Sequence, residues 1–435
     1  MLEIIDSSSV LGSKTEIELF SVPPTQVAIN HSYWHAVYPK NTVTQQGPYE
    51  FQITPDPNYL DLGSNLLHLR LKLTKADGAN LAAGDVVGPI NAIGKTFFKQ
   101  IKVWLGSKLA YDSSDTYAYR AYLETLVNYG SDAKETHLET CLFAKDDSAS
   151  MELANNTGFV ARRARSSVSK VLDLLTPIHA DVFHQDRLLV SNIDVRVELH
   201  RNSDAFCVFG TDDAIVDTKV NVLSMVWYVK KVEVLPSVAI ALENTLARTP
   251  AMYPLRRMVV KTLHVDGGLR STPHNLLING QVPRRIIIGC VDKDAYFGSA
   301  KKNPFNFKNF SVSSVQIQAG DQLYPRNAIE CNFTTNEYVR VYTSLMDALA
   351  VSRADRGVGI TFADFKKGYC LFGFMLTPDA SDGEHWDLLR SGSTTVKLNF
   401  SANTPDEGLE LIIWCEFDNL MKIDGDRNCF FDYSI

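Results

Sequence analysis

The 435-residue sequence predicts a mainly β chain: two antiparallel β-sandwiches in tandem, each interrupted by one helix. Three observations lead there. Apolar and polar residues alternate with period two in the clearest segments. Gly, Pro, Asn and Asp clusters separate those segments without a regular strand–helix alternation. A set of features in the first half returns in the same order in the second.

The alternation is plainest in LLHLRLKLT, where Leu67, Leu69, Leu71 and Leu73 face one way and His68, Arg70, Lys72 and Thr74 the other. That is the pattern of a strand buried on one face. Ile193, Val195, Val197 and Leu199 repeat it, as do Val396, Leu398 and Phe400, and then Leu409, Leu411, Ile413, Cys415 and Phe417. Two helices break the pattern. Tyr119, Tyr122, Leu123, Leu126 and Val127 stand at i, i+3, i+4, i+7 and i+8, with Ser114 or Asp115 as cap and Gly130 as stop. Tyr338, Val341, Tyr342, Leu345 and Met346 repeat the spacing, with Thr334 and Glu337 as a capping box. The apolar stretch PSVAIALENTLAR, residues 236–248, reads either as a helix or as an extended linker.

The repeat orders the rest. Ile101, Val103, Gly106 and Leu109 correspond to Val315, Ile317, Gly320 and Leu323 at an offset of 214, and the helical sets correspond at 219. Downstream, LTPIHADVFHQDRLL from Leu175 and LTPDASDGEHWDLL from Leu376 share Leu-Thr-Pro, then His184 or His385, then Asp186 or Asp387. A strand bearing Trp227 or Trp414 follows in each half. The resulting division is an N-terminal arm over 1–45, a first sandwich over 46–235, a linker over 236–255 and a second sandwich over 256–435. Tandem sandwiches with a helix inserted at the same place read as paired jelly rolls, an architecture of viral capsids, lectins and cupins.

Composition narrows the function. With 45% hydrophobic, 21% charged and 10% aromatic residues the chain can bury a large core. A net charge of -7 argues against a surface built to neutralise nucleic-acid phosphates, so any DNA contact is expected to be local. The start, MLEIIDSSSVLG, lacks the basic and apolar regions of a signal peptide. The longest apolar run, YCLFGFML, falls far short of the ~20 residues of a membrane span. The expectation is a soluble protein with no membrane span, not exported by that route. Seven cysteines without a CxxC pair point to a reducing compartment, where the five Asn-x-Ser/Thr sequons are chance occurrences.

No catalytic, cofactor-binding or metal-binding set emerges. Ten histidines include no HxH pair of the kind cupins use. His31 and His35 have helical metal spacing but sit in a Pro-flanked aromatic arm, and His184 and His385 read as turn or cap residues. There is no GxSxG, GxxxxGK or GxGxxG, and Asp146, Asp147, Asp212 and Asp213 lie in polar runs that read as solvated loops. Nothing demands an enzyme or a small-molecule substrate. The basic cluster ARRARSSVSK, with Arg162, Arg163, Arg165 and Lys170, reads as a solvated loop, a nuclear import signal or a contact with packaged nucleic acid.

Particular phrases go further. GYCLFGFMLTPD, IIWCEFDNLMKID and VPRRIIIGCVDKDAYFGSAKKNPFNFKNF in the second half, with YLDLGSNLLHLRLKLTKADG and DTYAYRAYLETLVNYG in the first, resemble the double jelly-roll major capsid proteins of Polinton (Maverick) elements and adintoviruses. The resemblance runs from about Glu18 to Asp424 and is weakest over 131–174. It implies a homotrimer forming a pseudo-hexameric capsomer of an icosahedral virion around double-stranded DNA, with a penton-type minor capsid protein as partner. Two other readings stand beside it. A tandem jelly-roll hydrolase, such as a glycan amidase, needs acidic residues converging at the seam between domains. A carbohydrate-binding protein needs exposed aromatics lining one sheet.

Overall fold

The leucines from Leu67 to Leu73 become a strand with all four side chains buried, while Arg70 between them is exposed. The computed structural model describes residues 8, 12, 15–211, 215, 217–273, 278–378 and 385–431. The first half holds β1 (Ile29–Val37), β2 (Tyr49–Ile53), β3 (Tyr59–Lys75), β4 (Val87–Pro89), β5 (Phe98–Leu105), β6 (Lys108–Asp112), β7 (Val171–Thr176), β8 (Val195–Arg201), β9 (Val208–Gly210) and β10 (Thr218–Val234). The second holds β11 (Ala251–Val265), β12 (Ile278–Gln281), β13 (Arg285–Asp292), β14 (Val312–Ala319), β15 (Gln322–Glu330), β16 (Leu371–Met375), β17 (Ser391–Phe400), β18 (Leu409–Ile423) and β19 (Cys429–Phe431).

In the first half the sheets run β1-β10-β3-β7 and β2-β8-β5-β6; in the second they run β11-β18-β13-β16 and β12-β17-β14-β15. Setting aside the short β4–β9 pair and β19, which pairs with β18, both halves have strand order 1-8-3-6 in one sheet and 2-7-4-5 in the other. All these ladders are antiparallel. Each half is therefore a jelly roll, and the chain is a double jelly roll.

Local chemistry explains the shared details. Gly106 and Gly320 stand at φ 57° and 59° in the two-residue turns of the β5–β6 and β14–β15 hairpins, a conformation that disfavours residues with a Cβ. The helices Tyr117–Asn128 and Val339–Ala348 follow those hairpins and precede β7 and β16. Residues 29–37 of the N-terminal arm form β1, the edge strand paired with β10. Residues 236–246 of the linker are a helix with proline in its first turn, and of its residues only Leu246 is buried.

Two capping expectations fail. Thr334 and Glu337 make no capping box: the Asn332 side chain accepts the amides of Thr334 and Thr335 in a local turn, and the helix begins only at Val339. A box does form at Thr361 and Asp364, ahead of the helix Phe362–Lys366. Neither Ser114 nor Asp115 caps the first helix, because residues 114–116 are a 3-10 turn leading into it.

The tryptophans are both buried but differ in setting. Trp227 meets Phe51 of the facing sheet edge-on, with ring centroids 6.2 Å apart. Trp414 shares its row with Ile287 and Gly373, the side of the sheet on which Leu345 of the second helix packs. All seven cysteines are buried free thiols, and burial pushes Cys290 up to about 12, so these groups act as small hydrophobes. Among the described residues no helix is long and apolar enough to cross a membrane.

Candidate functional site: the seam between the two sandwiches

The helix Tyr117–Asn128 has no solvent face, since every residue from Tyr117 to Val127 is buried. A surface helix keeps one side wet, so this one must be packed on two sides. One side meets β5 of its own sandwich, and the other meets β11 and β18 of the second. Tyr122 stacks on Phe305 at 4.0 Å between ring centroids, and Tyr119 stacks on Tyr296 at 5.6 Å. The tyrosines thus fasten the first helix to the second sandwich as well as to its own. The counterpart helix Val339–Ala348 buries only Val341, Leu345 and Ala348 and leaves Val339 60% exposed.

Charged residues sit inside this apolar contact. Arg120 donates from Nε to Glu124 Oε1 (2.8 Å), forms an ion pair through Nη2 with Asp181 Oδ1 (2.7 Å), and lies 4.7 Å over the Tyr111 ring. Glu124 Oε2 meets His179 Nδ1 at 2.5 Å, and the Tyr117 hydroxyl accepts from the His179 amide. Burial alone would raise the Glu124 carboxyl, yet Arg120 and the His179 hydrogen bond hold it well below the usual carboxylate range. Burial, with Lys95 nearby, pushes His179 down to about 3, so the ring is neutral and donates from Nδ1. Lys134 clamps the helix end to the other half, donating to the carbonyls of Leu126 (2.6 Å) and Val358 (2.5 Å).

Glu124, His179 and His184 offer donor atoms within 4.8 Å of one another, the spacing of a metal site. The geometry fits an ion cluster better. Both Glu124 oxygens are engaged, and the cationic Arg120 lies alongside.

The residues singled out from sequence fare variously. His31 and His35 lie on strand β1, where residues four apart stand ~13 Å apart, so the helical metal spacing is not realised. His184, with its side chain 34% exposed, packs edge-on to His179, while His385 is exposed in the other half. Asp146 is not in a solvated loop: it is 1% exposed and forms an ion pair with Arg162 Nη1 at 2.9 Å. Asp147 is exposed and accepts from the amide and hydroxyl of Thr157 at a helix start. Asp212 and Asp213 lie outside the described residues.

The basic cluster is not a solvated loop either. Its arginines stand on the helix Thr157–Ser166; Arg162 is buried, and Arg163 donates to the carbonyls of Gly84 and Asp85. Arg165 and Lys170 remain exposed. The ion cluster of Arg120, Glu124, His179 and Asp181 escaped sequence reading, although an Arg–Glu pair four apart inside an apolar helix was its visible signal.

The chain aligns along its whole length with a protein of the Sputnik virophage (TM-score 0.69, 10% identity, 100% of this chain and 94% of that one). The mavirus major capsid protein aligns over 100% of this chain and 97% of its own, with TM-score 0.56 and 12% identity. The PBCV-1 virus capsid protein aligns over 96% and 100%, with TM-score 0.64 and 10% identity. These likenesses establish the fold class, the double jelly roll of viral capsid proteins. No family model matches the chain. An uncharacterized protein of Caenorhabditis elegans is 30% identical over 422 residues, 94% of this chain and 99% of that protein, and the chain belongs to the same family.

Proposed function

We propose that this chain is the major capsid protein of a Polinton (Maverick) or adintovirus type of element. Three copies form a pseudo-hexameric capsomer, and capsomers tile an icosahedral virion shell around double-stranded DNA. The observation that carries this reading is the duplication: two sandwiches of identical strand order joined by a buried seam. Three such chains present six similar corners, and six-cornered blocks tile a surface. The partners are other copies of the chain, a penton-type minor protein at the vertices, and DNA touched locally through exposed residues such as Arg165 and Lys170.

The role is structural. The carboxylates a hydrolase would need do converge at the seam, but Glu124 and Asp181 are 2% and 6% exposed and tied to Arg120, out of reach of a substrate. Trp227 and Trp414 are fully buried and line no sugar-binding face. Light scattering and negative-stain imaging of the purified chain should give trimers or shells. A stable monomer at high concentration that cleaves glycans would sink the proposal.

A further inference from the structure

Within the chain, the segment after the Leu-Thr-Pro box of the first sandwich docks on the edge strand of the second. Asp181 Oδ1 accepts from the Met258 amide (3.1 Å), Arg187 Nη1 donates to the Met252 carbonyl (2.6 Å), and the Tyr253 hydroxyl donates to the Leu188 carbonyl (3.1 Å). Met252, Tyr253 and Met258 all lie on β11, the first strand of its sandwich and an edge of its sheet.

The second sandwich carries the same segment; of its described residues, Asp387 lies 4.0 Å from Arg284 of its own half, and the apolar side chains beside it stand exposed. The offset of 201 between the Leu-Thr-Pro boxes sets Leu388 at the place of Arg187 and Leu389 at that of Leu188. Leu388 is 91% exposed, Leu389 71% and Trp386 53%. The counterpart of β11 in the first sandwich is β1, also a first strand and a sheet edge. It is open too, with Tyr33 41% and Trp34 50% exposed. Among the described residues, both sides of a contact that the chain makes once with itself are therefore present a second time, exposed and apolar. Exposed apolar patches and bare sheet edges are what soluble proteins normally cover.

Building on the shell-subunit reading, we infer that the Trp386–Leu389 segment of one copy docks on β1 of the next, around Tyr33 and Trp34. The occupant is a second copy because the two surfaces repeat the two sides of the internal seam. The contact is heterologous, one surface against a different one, so repeating it around a three-fold axis closes a ring of alternating first and second sandwiches. Leucine at the place of Arg187 fits the change of seat: where Arg187 reaches a backbone carbonyl, Leu388 meets aromatic rings.

The test uses the full chain with Leu388→Asp and Leu389→Asp together, with Trp34→Asp, and with the pair Trp34→Cys and Leu388→Cys. The native cysteines are all buried, so the introduced pair reports alone. Each aspartate variant should melt near the parent but weaken trimerisation at least ~100-fold, the scale of a lost apolar anchor. The cysteine pair should give bands of two and three chains on a non-reducing gel, and because it buries no charge it remains informative if an aspartate variant fails to fold. Trimers that persist in the aspartate variants, with no intermolecular band from the cysteine pair, overturn this inference and leave the shell-subunit reading standing. A parent chain that stays single at high concentration overturns that reading and this one with it.

Discussion

The ring of Tyr122 lies 4.0 Å from that of Phe305, inclined by only 9°, and the two residues belong to different sandwiches. Stacking of this kind adds to the energy of the area buried, so the pair is a fastening point of the seam. Tyr122→Ala should cost about 3–5 kcal/mol, the range for an aromatic deletion in a packed core. Urea unfolding should show the loss. A second transition, with one half melting before the other, would identify the seam as what couples them.

Arg120 balances two carboxylates. Arg120→Leu leaves Glu124 and Asp181 buried without their counter-charge and should destabilise by about 3–5 kcal/mol. Adding Glu124→Leu and Asp181→Leu removes the stranded charges, and much of the loss should return in the triple variant. Denaturation of the single and triple variants side by side decides it: equal stability would mean that the cluster is not coupled.

The mixed fate of the charged residues marks how far the sequence could be read. Alternation at Leu67–Leu73 is a local signal, and the strand followed it; Leu409–Phe417 is also a strand, but all nine of its residues are buried, so it is covered on both faces and not on one. The colinear turn, helix and Leu-Thr-Pro box located the duplication, because each half repeats the same local chemistry. The seam was not legible. Tyr122 and Phe305 are far apart in sequence, and periodicity says which face of a helix is apolar, not what covers it. ARRARSSVSK was misread for a related reason, since Arg162 looks solvated until Asp146 is seen beside it. The capping box at Thr334 failed because Asn332 claims those amides first.

That pairing gives a sharper test than the cluster as a whole. Arg162→Gln should cost about 3 kcal/mol or more by stranding Asp146, whereas Arg165→Gln on the same helix should stay within about 0.5 kcal/mol. Thermal melts of the two variants suffice. If both are silent, the buried pair contributes nothing to stability.

Lys134 makes stability depend on pH. Burial, with the charge of Lys145 beside it, lowers its ammonium from 10.5 to about 7. The folded state therefore sheds this proton before the unfolded chain does. Between pH 7 and 10.5 the unfolded chain binds more protons, so the lysine's penalty shrinks as pH rises and is full only below 7. Urea midpoints measured from pH 7 to 9 should rise in the parent chain, and Lys134→Met should flatten that rise. Parallel curves would show that the ammonium stays charged, held by the carbonyls of Leu126 and Val358.

The seam between the sandwiches also has a meaning in mass action. A contact inside one polypeptide does not weaken on dilution, since its two sides are never free of each other. A ring of six similar sandwiches made from separate units would depend on the sixth power of their concentration; made from this chain, it depends on the third. In the proposed ring, half of the joints would be made during folding, before any copy had met another.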